Sequence, residues 1–515
     1  MTQNTAPILS GIEHIVVLML ENRSFDNILG WLYDGNNAPP FNQVPSGQTF
    51  DGVSGKNLTN PWNKSGPQIV VQVPVGSTTD PTNPYPDPGE VYADVYQQLY
   101  NVLPSPPPAP TPVPPNPPQP PPMSGFVNNY AAQKGSTPPN IMNGFRPAML
   151  PNLCQLAYQF ITCDRWFASV PSQTFTNRSF VHAGTASGYV NNVTGHLPIF
   201  INATPTIYNL LESQNKSWRV YYGSHWFLCM TFLGQGQIER YMFDFGPRRM
   251  YPFEQFLDDA QKGNLSAYSF VEPNFMNSLI YGYENDMHPD AAVLKIGQAS
   301  NVLYGDELIR KVYQALLTGP SQQWESTLLV VTYDEHGGCY DHVAPGPAIP
   351  PDNRIIQPNQ DGYSGFLFNR YGVRVPAVLV SPRIAQPHSV DHTTYDHTSV
   401  LRTVMDCFLG GNVQPNALGN RAAAASPLNP TLGAPSSDVP NLTVPAVSDS
   451  KPTEDGPLTD FQKAIVRAAW LRLKQLGASA IAEAEPAFLT KLQSEAELQS
   501  LAATVPQSKR PSKLS

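Results

Sequence analysis

Positive charge is what this 515-residue chain has little of: 31 Lys and Arg stand against 40 Asp and Glu, a formal net charge of −9. A nucleic-acid binder would show a basic face, so that partner class is not expected. Cysteine is sparse as well. Cys154, Cys163, Cys229, Cys339 and Cys407 are odd in number and widely spaced, with no CxxC or Cys/His zinc spacing. Neither a disulfide framework nor a zinc ribbon is indicated; Cys154 and Cys163 either pair or stand as free core thiols. Long apolar runs are missing too. The first, residues 15–20, is too short for a membrane span, and no basic segment with an apolar h-region precedes it. The expectation is a chain with no transmembrane segment and no Sec-type leader, cytoplasmic or exported by another route.

Proline is the reverse case. There are 55, gathered in a Gly-, Pro-, Asn- and Ser-rich stretch over 34–123 and above all in 103–122, which holds Pro106-Pro107-Pro108, Pro114-Pro115 and Pro120-Pro121-Pro122. Without N–H groups and with φ fixed, such a run forms polyproline II or coil. It reads as a surface insertion, or as a strip for a proline-reading partner, and not as a boundary, because polar clusters of interest lie on both sides. The length admits two to four domains or one elaborated α/β domain. A main domain over 11–450 followed by a helical segment over 458–503 is expected, with the oligomeric state open.

Apolar runs that stop at polar clusters organise the rest. Thr327-Leu328-Leu329-Val330-Val331-Thr332-Tyr333 has the composition of a strand buried on both faces and ends at Asp334-Glu335-His336-Gly337-Gly338. Ligands in open α/β sheets gather at the carboxyl ends of strands. Two adjacent carboxylates ionise together only beside a cation or a donor cluster, so Asp334 and Glu335 mark either a cation site or a solvated acidic turn. Residues 15–20 repeat the pattern and end in Glu21-Asn22, oxygen donors that suit a hard cation; the alternative is Glu21 paired with Arg23 or capping the next helix. Residues 171–178 turn into a helix. A hydroxyl there meets free N–H groups and the positive dipole end, as an N-cap or as an activated nucleophile. Further strands are expected at 217–222, 265–271 and 375–380, and 167–170 reads as a short strand or an approach to the next helix. Helices are expected at 306–317, at 459–476 behind a Thr459/Gln462 capping box, and at 488–502. Strands alternating with helices predict an α/β fold with a mostly parallel sheet.

Five clusters together resemble a known group. Glu21-Asn22-Arg23-Ser24-Phe25-Asp26, Thr174-x-x-Asn177-Arg178, Asn285-Asp286-Met287-His288-Pro289, Asp334-Glu335-His336-Gly337-Gly338 with Asp341-His342-Val343, and Asp396-His397-Thr398-Ser399 look like the bacterial phosphoesterase family. That family contains the non-haemolytic and mycobacterial-type phospholipases C and a related acid phosphatase. The resemblance implies a three-layer α/β/α sandwich, alkaline-phosphatase-like, and a metal-dependent phosphoester hydrolase. Carried over, Glu21, Asn22, Asp334 and Glu335 would hold a divalent metal ion (Ca, Mg, Mn or Zn). Thr174 would be nucleophile and further ligand, passing through a phospho-threonine, and His288 would contact the phosphoryl group or protonate the leaving oxygen. Arg178, Asp286, His342, His397 and Asn143 would stand at the substrate or behind these groups. The sequence departs from the pattern at Thr176, where the family shows proline. It departs again in having no histidine between His14 and His182, so that contact is absent or supplied otherwise, by Asn143. The implied substrate is a phospholipid, with a soluble monoester as the acid-phosphatase alternative. A silent scaffold using the proline-rich loop is the third reading.

Overall fold

The computed structural model describes residues 9–64, 69–102, 119–192, 202–243, 247–290, 301–353, 366–410, 413–445, 447, 452, 456–479 and 490–511. Most of the proline-rich run, residues 103–118, lies outside them.

Twelve strands are formed among the described residues: β1 (His14–Leu20), β2 (Thr59–Asn63), β3 (Val70–Pro74), β4 (Gly76–Thr78), β5 (Asn143–Phe145), β6 (Ile161–Cys163), β7 (Trp218–Tyr222), β8 (Met250–Pro252), β9 (Tyr268–Val271), β10 (Thr327–Tyr333), β11 (Ala377–Val380) and β12 (Ser389–Asp391). Eight of them build the central sheet in the order β12-β6-β11-β10-β1-β9-β7-β8. All neighbours in it run parallel except β11, which is antiparallel to both β10 and β6. β2–β3 and β4–β5 form two small separate pairs.

Alternation along β7 shows why both faces are covered. Trp218 packs at a tilt on Tyr208 of the helix Ile207–Ser213 at 4.6 Å, whereas Tyr221 meets Phe256 of the helix Phe253–Lys262 at 5.3 Å. Side chains of even and odd number leave a strand on opposite faces, so these helices lie on opposite sides and the layers are helix, sheet, helix. The helices Thr174–Ala183 and Thr398–Phe408 pack with the first; Pro151–Gln159 and Val302–Thr318 join the second. β10 is buried along its whole length and β1 all but so, as the unbroken Val/Leu composition requires.

Three of the sheet strands have only three residues, β6, β8 and β12, too few to carry a periodicity. Residues 167–170 are not a strand: Trp166 and Phe167 make single bridges to Tyr395 and Arg374. The expected strand at 265–271 is trimmed to β9. The Thr459 capping box forms as read, with Gln462 N–H donating to Thr459 Oγ1 at 3.1 Å, and the last helix is Lys491–Ala502. All five cysteines are free. Among the described residues no helix is long and apolar enough to cross a membrane.

The loop after β10 is tied to the rest by one cation. Arg374, fully buried, donates to Asp341 Oδ1 at 2.9 Å, Asp26 Oδ1 at 3.0 Å and the Asp164 carbonyl at 2.8 Å. Removing one member of a buried ion pair leaves uncompensated charge behind. Arg374→Ala is therefore expected to lower stability by about 3–5 kcal/mol, read as a fall in the urea midpoint.

Candidate active site

Register places the first two carboxylates. β1 and β10 pair in parallel with Leu20 opposite Tyr333, so Glu21 and Asp334 are the next residues out on adjoining strands. The ladder runs on by one rung, the Asp334 N–H donating to the Leu20 carbonyl at 3.1 Å. Asn22 then turns away with φ +52°. Its N–H donates to Asp334 Oδ1 at 3.2 Å, and its Nδ2 to Glu335 Oε1 at 2.8 Å and Glu90 Oε1 at 2.6 Å. Gly337 allows this closure. It has φ +59°, and a Cβ there would sit 2.0 Å from the Asn22 carbonyl oxygen, a conformation and a gap that only glycine accepts.

Thr174 arrives from the other side as the first residue of the helix Thr174–Ala183. Its hydroxyl donates to Glu21 Oε2 at 3.1 Å and lies 3.4 Å from Asn22 Oδ1. Thr176 does something else: its hydroxyl donates to the Val190 carbonyl at 3.0 Å. Asn177 sets the turn before the helix, accepting from the Val170 N–H at 2.9 Å and donating to the Ser172 carbonyl at 2.7 Å. The hydroxyl pair that sequence left ambiguous is thus divided by geometry, with Thr174 alone facing the carboxylates.

One turn further on, Arg178 reaches back into the cluster. It donates through Nε to Glu21 Oε1 at 2.7 Å and through Nη2 to the Met19 carbonyl at 3.0 Å, with Asp334 Oδ2 at 3.5 Å. Phe275 covers its guanidinium at 5.1 Å. Asp286 holds the Glu21 N–H through its carbonyl at 2.8 Å and accepts the His288 N–H on Oδ1 at 3.0 Å. The His397 imidazole receives the Trp166 indole N–H on Nδ1 at 3.3 Å, which leaves Nε2 to donate to the Asp334 carbonyl at 2.6 Å. His397 fixes a backbone at the site's edge.

Burial dominates the electrostatics. Desolvation pushes Glu21 well above the usual carboxylate range against the pull of Arg178, and Glu335 likewise, with Glu90 and Asp334 adding to it. Asp286 is raised by burial too. His288 goes the opposite way to its burial: Asp87 and Glu90 raise it well above its ordinary value and hold it as a cation. Its Nδ1 donates to the Pro289 carbonyl at 2.6 Å, Nε2 lies 3.5 Å from Glu90 Oε1, and its ring stacks on Phe461 at 5.1 Å. Burial pushes His336 down to about 3, and it serves as a neutral partner to Gln98 at 2.8 Å.

Glu21, Asn22, Thr174, Asp334 and Glu335 thus converge, as do Arg178, Asp286, His288 and, through the Asp334 carbonyl, His397. Asn143 and His342 are placed elsewhere. Asn143 lies in β5, its carbonyl accepting from Asn27 Nδ2 at 2.8 Å. His342 belongs to the Arg374 cluster, 2.7 Å from Asp26 and 3.1 Å from Asp51. Glu90 and Asp87 were missed: they sit in the aperiodic, proline-rich part of the sequence, where Asp87-Pro88-Gly89-Glu90 reads as a turn. The structure puts both against His288, Asp87 at 3.8 Å and Glu90 at 3.5 Å.

Among the described residues two ligand-like trios form, Asp87–Glu90–His288 and Asp26–Asp341–His342. The second already has Arg374 as its cation. The first adjoins the oxygen cluster through the Asn22 amide. Asp334 Oδ2 and Asp286 Oδ2 are buried with no hydrogen-bond partner, and burial disfavours the charged form of the carboxylates around them. The donor set fits a divalent cation, which takes clustered oxygens and supplies the missing positive charge. A cavity of about 210 Å³ is lined by Glu90, by Gln173 beside Thr174, and by Leu458, Thr459, Asp460 and Lys463.

A mostly parallel sheet with an acid-rich centre at its strand ends is what this geometry describes. The chain belongs to the Phosphoesterase family, whose model matches residues 12–409. It is 33% identical over 483 residues to "Non-specific phospholipase C6" of Arabidopsis thaliana, covering 89% of this chain and 80% of that protein. It is 28% identical over 472 residues to "Phospholipase C A" of Mycobacterium tuberculosis (strain ATCC 25618 / H37Rv), covering 85% and 81%. Among solved structures, a protein in the alkaline phosphatase superfamily from Vibrio parahaemolyticus is 15% identical, covering 53% of this chain and 63% of that chain at a TM-score of 0.30; nothing about the site rests on that slight likeness. The protein is a phosphoester hydrolase.

Gly337→Ala tests the turn beneath the centre. The left-handed backbone and the contact with Asn22 make it destabilising on the order of 3 kcal/mol. Both the melting temperature and the turnover are expected to fall, whereas a wild-type melting curve would show that the turn relaxes freely.

Proposed function

We propose that the protein is a metal-dependent phospholipase C-type phosphodiesterase that works through a Thr174 nucleophile. The observation that carries this is the Thr174 hydroxyl, buried at a helix N-terminus and pointed at Glu21 Oε2. Its relatives are named phospholipases C, which supplies the substrate class. A bound divalent ion on Glu21, Asn22, Thr174, Asp334 and Glu335 would lower the hydroxyl pKa and neutralise phosphoryl charge.

The chain's own groups do the rest. Thr174 Oγ1 bonds to phosphorus as the phosphorus–oxygen bond to diacylglycerol breaks, which leaves the phosphorylated head group on the threonine. Glu21, whose Oε2 already accepts the Thr174 hydroxyl hydrogen bond at 3.1 Å, accepts the hydroxyl proton. Arg178 keeps Glu21 aimed at Thr174. His288, held protonated by Asp87 and Glu90, donates to the departing alkoxide. Water then attacks phosphorus and gives a proton to the neutral His288, while Glu21 returns its proton to Thr174 Oγ1 as that bond breaks and the phosphorylated head group leaves. The 210 Å³ cavity carries Asp87, Glu90, Asp94 and Asp460 against the single cation Lys463. That lining favours a cationic head group on a diester over a doubly charged monoester. Hence the preference for phospholipase C over acid phosphatase.

Thr174→Ala is expected to lose about a thousandfold or more in kcat with an unchanged circular dichroism spectrum. Near-normal turnover in a folded variant removes the nucleophile assignment. Chelation should abolish activity, and one added divalent ion should restore it; full activity in metal-free protein contradicts the metal reading.

The proton donor has its own signature. A histidine whose pKa is raised in the folded enzyme stays charged through its ordinary value near 6.5 and is lost only as pH climbs through the raised value. The alkaline limb of kcat should therefore lie above that pH. His288→Ala should remove this limb and slow a lipid alkoxide far more than p-nitrophenolate, which leaves without a proton. An equal loss on both leaving groups would deny it the role of acid.

A further inference from the structure

Leu279, Ile280 and Tyr281 are consecutive in sequence and 51%, 53% and 36% exposed. Single exposed apolar side chains are ordinary surface, whereas a run of large ones marks an interaction site. These three form the tip of a turn closed by Ser278 and Gly282, whose backbones exchange hydrogen bonds of 2.8 and 2.9 Å. The base is polar and fixed. Ser278 Oγ accepts the N–H groups of Ile280 and Tyr281 at 3.0 Å each and donates to Glu495, which also accepts the Leu279 N–H at 3.2 Å. Glu495 is held in turn by His225 Nε2 at 2.8 Å, and the Tyr281 ring meets the His225 ring edge-on at 4.8 Å.

Both legs of this excursion carry the active centre. Phe275, over the Arg178 guanidinium, is on the outgoing leg; Asp286 and His288 are on the returning one. The tip is four or five residues from either, at most roughly 18 Å of extended chain. Its reach keeps it near the centre, on the loop that carries Phe275, Asp286 and His288.

We infer that the 279–281 tip is a membrane-docking finger that seats this loop on a phospholipid surface, an inference that rests on the phospholipase C reading. The tip carries two aliphatic side chains followed by a tyrosine, apolar body with a polar end, the order that suits the boundary between acyl chains and head groups. Three side chains fall well short of the roughly 1,000 Å² that a specific protein interface buries, but they suffice to anchor one edge of a protein in a bilayer. The tip has no charge, so its attachment to zwitterionic lipid is insensitive to salt.

The test uses the full chain and phosphatidylcholine vesicles. In the Thr174→Ala background, which limits lipid breakdown, Leu279→Ser/Ile280→Ser should lower the co-floated fraction by about tenfold, at low and high salt alike. In the otherwise unaltered enzyme the same pair should lower the rate on vesicles by about tenfold and leave the rate on soluble p-nitrophenyl phosphorylcholine within about twofold. Unchanged vesicle binding and vesicle rate overturn the inference, and so does a tip-dependent dimer that does not bind vesicles. Ile280→Trp gives a second readout that needs no catalysis: its emission should shift to the blue on adding vesicles, and an unmoved spectrum overturns the docking. If the unaltered enzyme cleaves neither substrate, the phospholipase C reading falls, while the Ile280→Trp spectrum still decides whether the finger enters lipid.

Discussion

The parallel pairing of β1 with β10 is the constraint on which the site depends. It sets Glu21 beside Asp334 at the same height, and the next residue on each strand brings Asn22 against Glu335 and Glu90. Carboxylates do not gather in a dry core unless something compensates their charge. Arg178 compensates part of it from the helix that carries Thr174, so the group that aligns Glu21 is covalently linked to the hydroxyl Glu21 faces. A change in register at the sheet would separate all of them together.

The centre is roofed by the C-terminal segment. Phe461 stacks on His288 and packs against Phe275. Gln462 Nε2 donates to Glu284 Oε2 at 2.6 Å, and the buried Lys491 ammonium bridges Glu284 at 2.6 Å and Asp290 at 2.9 Å. These contacts brace the loop of Asp286 and His288 from outside.

How much of this could be read from sequence depended on what kind of signal each residue leaves. β1 and β10 were plain because a strand buried on both faces is an unbroken apolar run, and Glu21, Asn22, Asp334 and Glu335 followed because they end those runs. The small strands β6, β8 and β12 left no pattern, and the antiparallel turn of β11 is a matter of connection and not of composition. Glu90 and Asp87 were invisible for a different reason. They are held by long-range contacts in a stretch whose prolines and glycines signal only turns. Thr174 and Thr176 looked alike until the Asn177-built turn sent one hydroxyl to Glu21 and the other to the Val190 carbonyl. His342 and His397 both follow an aspartate, yet one joins the Arg374 cluster and the other props the Asp334 backbone.

Whether Thr174 becomes covalently bonded to phosphorus is the point on which the proposed chemistry turns. Acid-quenched turnover of a phosphatidylcholine substrate, followed by peptide mass spectrometry, tests it directly. The peptide containing Thr174 should carry the mass of the phosphorylated head group during steady-state turnover and lose it once substrate is exhausted. An active enzyme whose quenched Thr174 peptide stays unmodified while another residue carries that mass would contradict it.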